Sequence, residues 1–193
     1  MNARIFFWLV VVGVLAACQS SDPPSTTVPT ESNSTAHLPP SPGLSTPAHY
    51  PPTLIASGGG VVEGEEIRIV IPEGALEAAT QFTISREASE APIAVTEDRL
   101  EVGETFELGP NGTAFHQPVI VTLSYADYQS ALGDLETRLV IFRESGGMVE
   151  ALPSTVDTVA ATVSAPTEHF SRFSLGIPMD KLHCEDIPGL TRV

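Results

Sequence analysis

The sequence predicts an all-β protein, a single antiparallel β-sandwich that follows a cleaved amino-terminal signal peptide and a disordered linker. Three observations predict it. After residue 53 the apolar residues fall into a two-residue beat, the period at which a strand turns one face to a core. Gly- and Pro-rich turn strings interrupt that beat every ten residues or so, the spacing of short strands in sandwiches and barrels. Before residue 53 the composition is of another kind, so the folded part has a visible start.

The amino terminus sets the compartment. Residues 1–4 are a short basic start, and residues 5–15 are apolar apart from Gly13. Eleven helical residues rise about 16 Å, half the roughly 30 Å of a hydrocarbon core, so the segment reads as a signal peptide over residues 1–17 and not as a membrane span. Leu15-Ala16-Ala17-Cys18 resembles the bacterial lipobox. That resemblance implies a diacylglyceryl group on the Cys18 sulfur, cleavage just before it, and attachment to the cell envelope. With Gln19 after the cysteine, it further implies the outer membrane in a Gram-negative source. Two or more acyl chains anchor stably, at about 0.8 kcal/mol per buried methylene.

Residues 18–53 form the expected linker. Nine of the seventeen prolines lie between residues 19 and 52, with many Ser and Thr and only two charges, Asp22 and Glu31. Such a stretch has too little apolar surface to offset the entropy of ordering, so it reads as a disordered tether.

Residues 54–177 form the expected domain. Strands are predicted at 66–71, 81–85, 105–108, 119–123, 139–142, 148–152, 159–165 and 169–177. Gly146-Gly147 sets a tight hairpin, and one helical turn falls near residues 127–132. Gly58-Gly59-Gly60 precedes the strand-forming Val61-Val62 and not a helix, which argues against a phosphate cradle. Residues 178–193 are expected to be a loose tail.

Charge limits the partners. The chain carries 24 acidic and nine basic side chains, for a net charge of −15. Such a surface repels phosphate backbones, so nucleic acid is excluded, and a protein partner should be basic and bind less well in salt. Cys18 and Cys184 are the two cysteines. With lipid on the first, no intramolecular disulfide is available, and stability rests on the core.

Two stretches carry a family resemblance. Ile71-Pro72-Glu73-Gly74-Ala75-Leu76 ends a strand, and residues 106–121 hold Gly109-Pro110-Asn111-Gly112 and Phe115-His116-Gln117-Pro118. Together they resemble the ZU5 domain, the β-sandwich of zonula occludens proteins, netrin receptors and ankyrins. That implies a protein-contact module with no cofactor. Pro72 stops a strand, Gly74 allows a conformation other residues resist, Phe115 plugs a sandwich edge, and Pro118 marks where a strand begins.

A third stretch, His169-Phe170-Ser171, is similar to the point where some members of that family cut themselves. The resemblance implies that the Ser171 hydroxyl attacks the Phe170 carbonyl in an N-to-O acyl shift, with His169 as general base. On one strand His169 and Ser171 would share a face, which puts base and nucleophile in reach. The bland alternative has Phe170 and Leu175 in the core, or Phe173 in the opposite phase, with His and Ser merely exposed. No other nucleophile motif and no metal-ligand spacing is present. Glu63, Glu65 and Glu66 lack the pattern of a calcium loop, and adjacent His183 and Cys184 lack a second ligand pair. The leading expectation is therefore a membrane-anchored, non-enzymatic interaction module in the cell envelope. Self-cleavage and an adhesin or carbohydrate-binding module are the alternatives. The only tryptophan, Trp8, leaves with the signal peptide, which removes the best stacking platform for a sugar.

Overall fold

The computed structural model describes residues 47–88, 91 and 93–183. The expected signal peptide, Cys18 and most of the expected linker lie outside the described residues. Thirteen strands run in chain order, beginning with β1 (Ala48–His49), β2 (Thr53–Ile55), β3 (Gly60–Glu63) and β4 (Ile67–Ile71). Next come β5 (Thr80–Glu87), β6 (Ile93–Val95), β7 (Arg99–Gly109) and β8 (Ala114–Ser124). A helical segment follows: a 3-10 turn at Ala126–Tyr128, α1 (Gln129–Leu132) and a second 3-10 turn at Gly133–Arg138. The chain then forms β9 (Val140–Ser145), β10 (Met148–Ala151), β11 (Thr155–Asp157), β12 (Thr162–His169) and β13 (Arg172–Pro178).

The strands build two sheets, as an all-β sandwich requires. The larger has eight strands in the order β1-β5-β7-β13-β9-β10, with β2 on β5 and β6 on β7; the smaller has five, β11-β12-β8-β4-β3. All pairings are antiparallel. The inward phase of each strand supplies the core. Ile67, Ile69 and Ile71 of β4 face Val119, Val121 and Leu123 of β8 on one side, and Leu100, Val102, Phe106 and Leu108 of β7 with Phe173, Leu175 and Ile177 of β13 on the other. Each such side chain contributes about 1.5–3 kcal/mol on burial.

Local chemistry explains the turns. Gly146 and Gly147, both at positive φ, connect Ser145 to its partner Met148, the two-residue turn whose twist matches the flanking strands. Gly74 (φ +76°) breaks the chain after β4, where its amide donates to the Ser57 carbonyl.

Several expectations need correction. Residues 159–161 were expected in a strand, but Val159 is 96% exposed in a turn. The Asp157 carboxylate accepts the amides of Val159 and Ala160 at 3.0 Å and so satisfies that turn. Strand β8 begins at Ala114, so Pro118 lies within it and not at its start. The structured region also exceeds residues 54–177 at both ends. Tyr50 donates its amide to Ile84 and packs on the core; Met179 donates to the Asp98 carbonyl, and Leu182 also packs against the core. The largest correction concerns residues 169–177. They are not one strand: β12 ends at His169, β13 begins at Arg172, and Phe170 and Ser171 carry the chain from the smaller sheet to the larger.

Candidate functional site

That crossover is built from residues far apart in sequence. Phe170 is fully buried, its ring edge-on to Phe115 of β8 and Phe82 of β5. Backbone bonds fix it on both sides: its amide donates to the Thr113 carbonyl at 3.0 Å, and its carbonyl accepts the Gly112 amide at 3.2 Å. The Ser171 carbonyl accepts the Leu108 amide at 3.0 Å. Ser171 is 1% exposed, and its hydroxyl donates to the Glu144 carbonyl of β9.

His169 takes a different partner. Its Nδ1 lies 3.3 Å from the Arg143 guanidinium, which can only donate, so Nδ1 is the accepting nitrogen. Arg143 also donates to the Thr167 hydroxyl at 3.2 Å and pairs with Glu150 at 2.5 Å. The Thr167 hydroxyl in turn donates to the His169 carbonyl at 2.9 Å. Arg143 thus ties β9 of one sheet to β12 of the other beside the crossover. Among the described residues no hydrogen bond links His169 to Ser171. The shared face expected of them depended on a continuous strand, and the change of sheet removes it.

A second polar group closes one end of the sandwich. Arg86 of β5 points inward, and its Nη1 donates to both Glu66 carboxylate oxygens at 2.7 and 2.8 Å, which raises the guanidinium pKa. Glu104 of β7, 8% exposed, accepts the Tyr128 hydroxyl at 2.8 Å. Burial, and then that carboxylate, push the Tyr128 pKa well above the ordinary value. Burial also raises Tyr50, and burial with the Glu136 bond pushes Tyr125 up to about 12. Glu63 turns away to Arg68 at 2.9 Å, so Glu63 and Glu66 serve different cations. Among the described residues no group of three or more His, Cys, Asp or Glu is arranged to hold a metal. Cys184 lies outside them.

The outward faces of the sheets differ in chemistry. The larger carries interlocked charges: Arg172 between Glu87 and Glu144, and Arg99 between Asp98 and Glu101 while stacked over Phe142 at 5.0 Å. The smaller presents hydroxyls and apolar groups. Val61, Val70, Ile120 and Pro166 are register partners in turn across β3, β4, β8 and β12. Val61 and Ile120 are 39% and 38% exposed, and Pro166 is exposed. No motif announces this row, because its members lie up to 105 residues apart and meet only through the pairing register. No helix among the described residues is long and apolar enough to cross a membrane.

The ZU5 domain family model matches residues 53–144, from β2 through most of β9. ZU5 domains are protein-interaction modules, and some cleave themselves. The matched segment supplies strands to both sheets, while β12 and β13, which flank the crossover, lie beyond it. No curated protein matches the chain significantly.

Proposed function

We propose that this chain is a non-enzymatic interaction module, held at the cell-envelope membrane by lipid on Cys18 and carried on its Pro-rich linker. The observation that carries the interaction reading is the row on the smaller sheet, where Val61, Val70, Ile120 and Pro166 stand side by side and Val61, Ile120 and Pro166 are exposed. Exposed apolar surface rimmed by polar groups is what partners bury. The test is capture of an envelope protein by the wild-type chain and by Ile120→Arg. Loss of capture by a variant that melts like the wild type supports the face; undiminished capture refutes it. Anchoring is tested separately: Cys18→Ala should move the protein out of the membrane fraction.

A second reading is self-cleavage at the crossover. The Gly112 amide on the Phe170 carbonyl favours it, because that donor would stabilise the negative oxygen formed on attack. The Ser171 oxygen would bond to the Phe170 carbonyl carbon and the carbon–nitrogen bond would break. The freed amine would take the proton, and water would hydrolyse the ester. A fragment beginning at Ser171 in a denaturing mass measurement, absent from Ser171→Ala, would establish this. A single uncut mass after prolonged incubation would remove it.

A further inference from the structure

The apolar row runs out to an open sheet edge. Among the described residues, strand β3 pairs with β4 and is the last strand of the smaller sheet. The direction of its backbone groups follows from the hairpin. The Gly64 amide donates to the Ile67 carbonyl at 2.8 Å, which makes that couple a hydrogen-bonded pair. Antiparallel pairs alternate, so Val62 with Ile69 and Gly60 with Ile71 are bonded as well, while Val61 with Val70 and Glu63 with Arg68 are not. The far side of β4 agrees: the Ser124 amide donates to the Glu66 carbonyl at 2.8 Å, so Arg68 and Val70 turn their backbone toward β8. The amides and carbonyls of Val61 and Glu63 therefore point away from the sheet. Two donors and two acceptors stand ready for one more strand.

Two other strand sides in the fold are blunted by proline. Pro51 and Pro52 separate β1 from β2. Pro166 has no amide to offer and lies just past Ser164, where β11 has ended its pairing with β12. Strand β3 has neither proline nor bulge. Its surroundings are acidic: Glu63 and Glu65 at one end, 65% and 78% exposed in their side chains, and exposed Glu73 at the other, with Arg68 paired to Glu63 and Arg86 4.0 Å from Glu65.

We propose that the free edge of β3 accepts an extended, basic segment of a partner protein as an added strand, whose apolar side chain continues the row from Val61 across the sheet. Backbone bonds to Val61 and Glu63 supply affinity, and the row and the carboxylates supply register and charge preference. The occupant is basic because the corner and the chain as a whole are acidic, which also disfavours a second copy of this chain. The proposal rests on the interaction reading and gives it a location.

The test uses the full-length chain in detergent and a library of hexapeptides with Lys or Arg alternating with Val, Ile or Thr. An acidic counterpart library serves as the control. Basic peptides are expected to slow hydrogen exchange at the Val61 and Glu63 amides. Val61→Pro, which removes an outward donor and no ladder bond, should weaken binding roughly tenfold, the scale of one backbone hydrogen bond with its desolvation. Glu63→Lys with Glu73→Lys should weaken it too, and keeps the test alive if the proline variant does not melt cooperatively. The proposal falls if protection appears away from β3, if both variants bind normally, or if acidic peptides bind equally. It falls also if the chain dimerises through this edge without peptide. A chain that ignores the library yet captures an envelope protein loses the edge proposal and keeps the interaction reading; one that does neither loses both.

Discussion

Phe170 meets Phe115 edge-on, their ring centroids 4.9 Å apart and their planes at 72°. Phe82 meets Phe170 in the same way at 5.0 Å and 69°. The three rings come from β5, β8 and the crossover, so one aromatic contact joins the two sheets where the chain passes between them.

Replacing Phe170 with Ala should therefore cost about 3–5 kcal/mol, the range for emptying a large buried ring. Phe170→Leu should cost markedly less. Urea unfolding measures both, and a loss under about 1 kcal/mol for the alanine variant would show that the junction is dispensable.

The Tyr128 hydroxyl is a donor to buried Glu104. Tyr128→Phe keeps the ring but takes that donor from the carboxylate, and should destabilise by about 1–3 kcal/mol. Adding Glu104→Gln should recover part of the loss, since a neutral amide tolerates burial better than a charge. Strictly additive costs in the double variant would contradict the coupling.

All three tyrosines, Tyr50, Tyr125 and Tyr128, are raised by burial and by neighbouring carboxylates. A raised folded-state value means that the native protein holds the phenolic proton more tightly than the unfolded chain. The associated stability is complete below the ordinary value near 10 and drains away as pH climbs through it toward 12 and beyond. Absorbance at 295 nm should show little tyrosinate at pH 10.5 in the native protein and abundant tyrosinate once it is denatured. Equal signals in the two states would refute this.

Arg86 and Arg68 separate buried from exposed pairing. Arg86 is 11% exposed in its side chain and donates from Nη1 to both Glu66 oxygens, whereas Arg68 and Glu63 are 52% and 65% exposed. Arg86→Met should cost about 3 kcal/mol by stranding a half-buried carboxylate, and Arg68→Ala only about 0–1 kcal/mol. Thermal melts at low and high salt would test the ranking; similar costs would overturn it.

Gly176 lies where a side chain has no room. A Cβ there would come within 2.6 Å of the Leu100 carbonyl and 3.0 Å of the Phe142 ring. Gly176→Ala should lose about 1–3 kcal/mol through forced strand separation, and an unchanged melting temperature would show that β7 and β13 can yield.

Much of the architecture was legible because β4 and β8 alternate cleanly. Strand β7 was read only in part, since outward Arg99 and Glu101 and inward Glu104 hide its beat. The crossover left a trace: Phe170 and Phe173 are three apart and both fully buried, which a single regular strand cannot arrange. The flanking strands both bury odd-numbered residues, Val163 and Ala165 on β12 and Phe173, Leu175 and Ile177 on β13, and Phe170 departs from that phase because it lies in the crossover itself. The identities at 169–171 were visible, but their partners were not. Arg143 and Glu144 are 26 and 27 residues away from the groups they engage, and only the pairing of β9 with β13 brings them there.

Strand β13 lies between β7 and β9 near the middle of the larger sheet, yet it is the last strand among the described residues. A polypeptide emerging amino terminus first must hold two strands with vacant inner flanks until these seven residues arrive. The larger sheet therefore closes only when β13 arrives, and a chain ended at residue 171 would leave β7 and β9 without the partner they share.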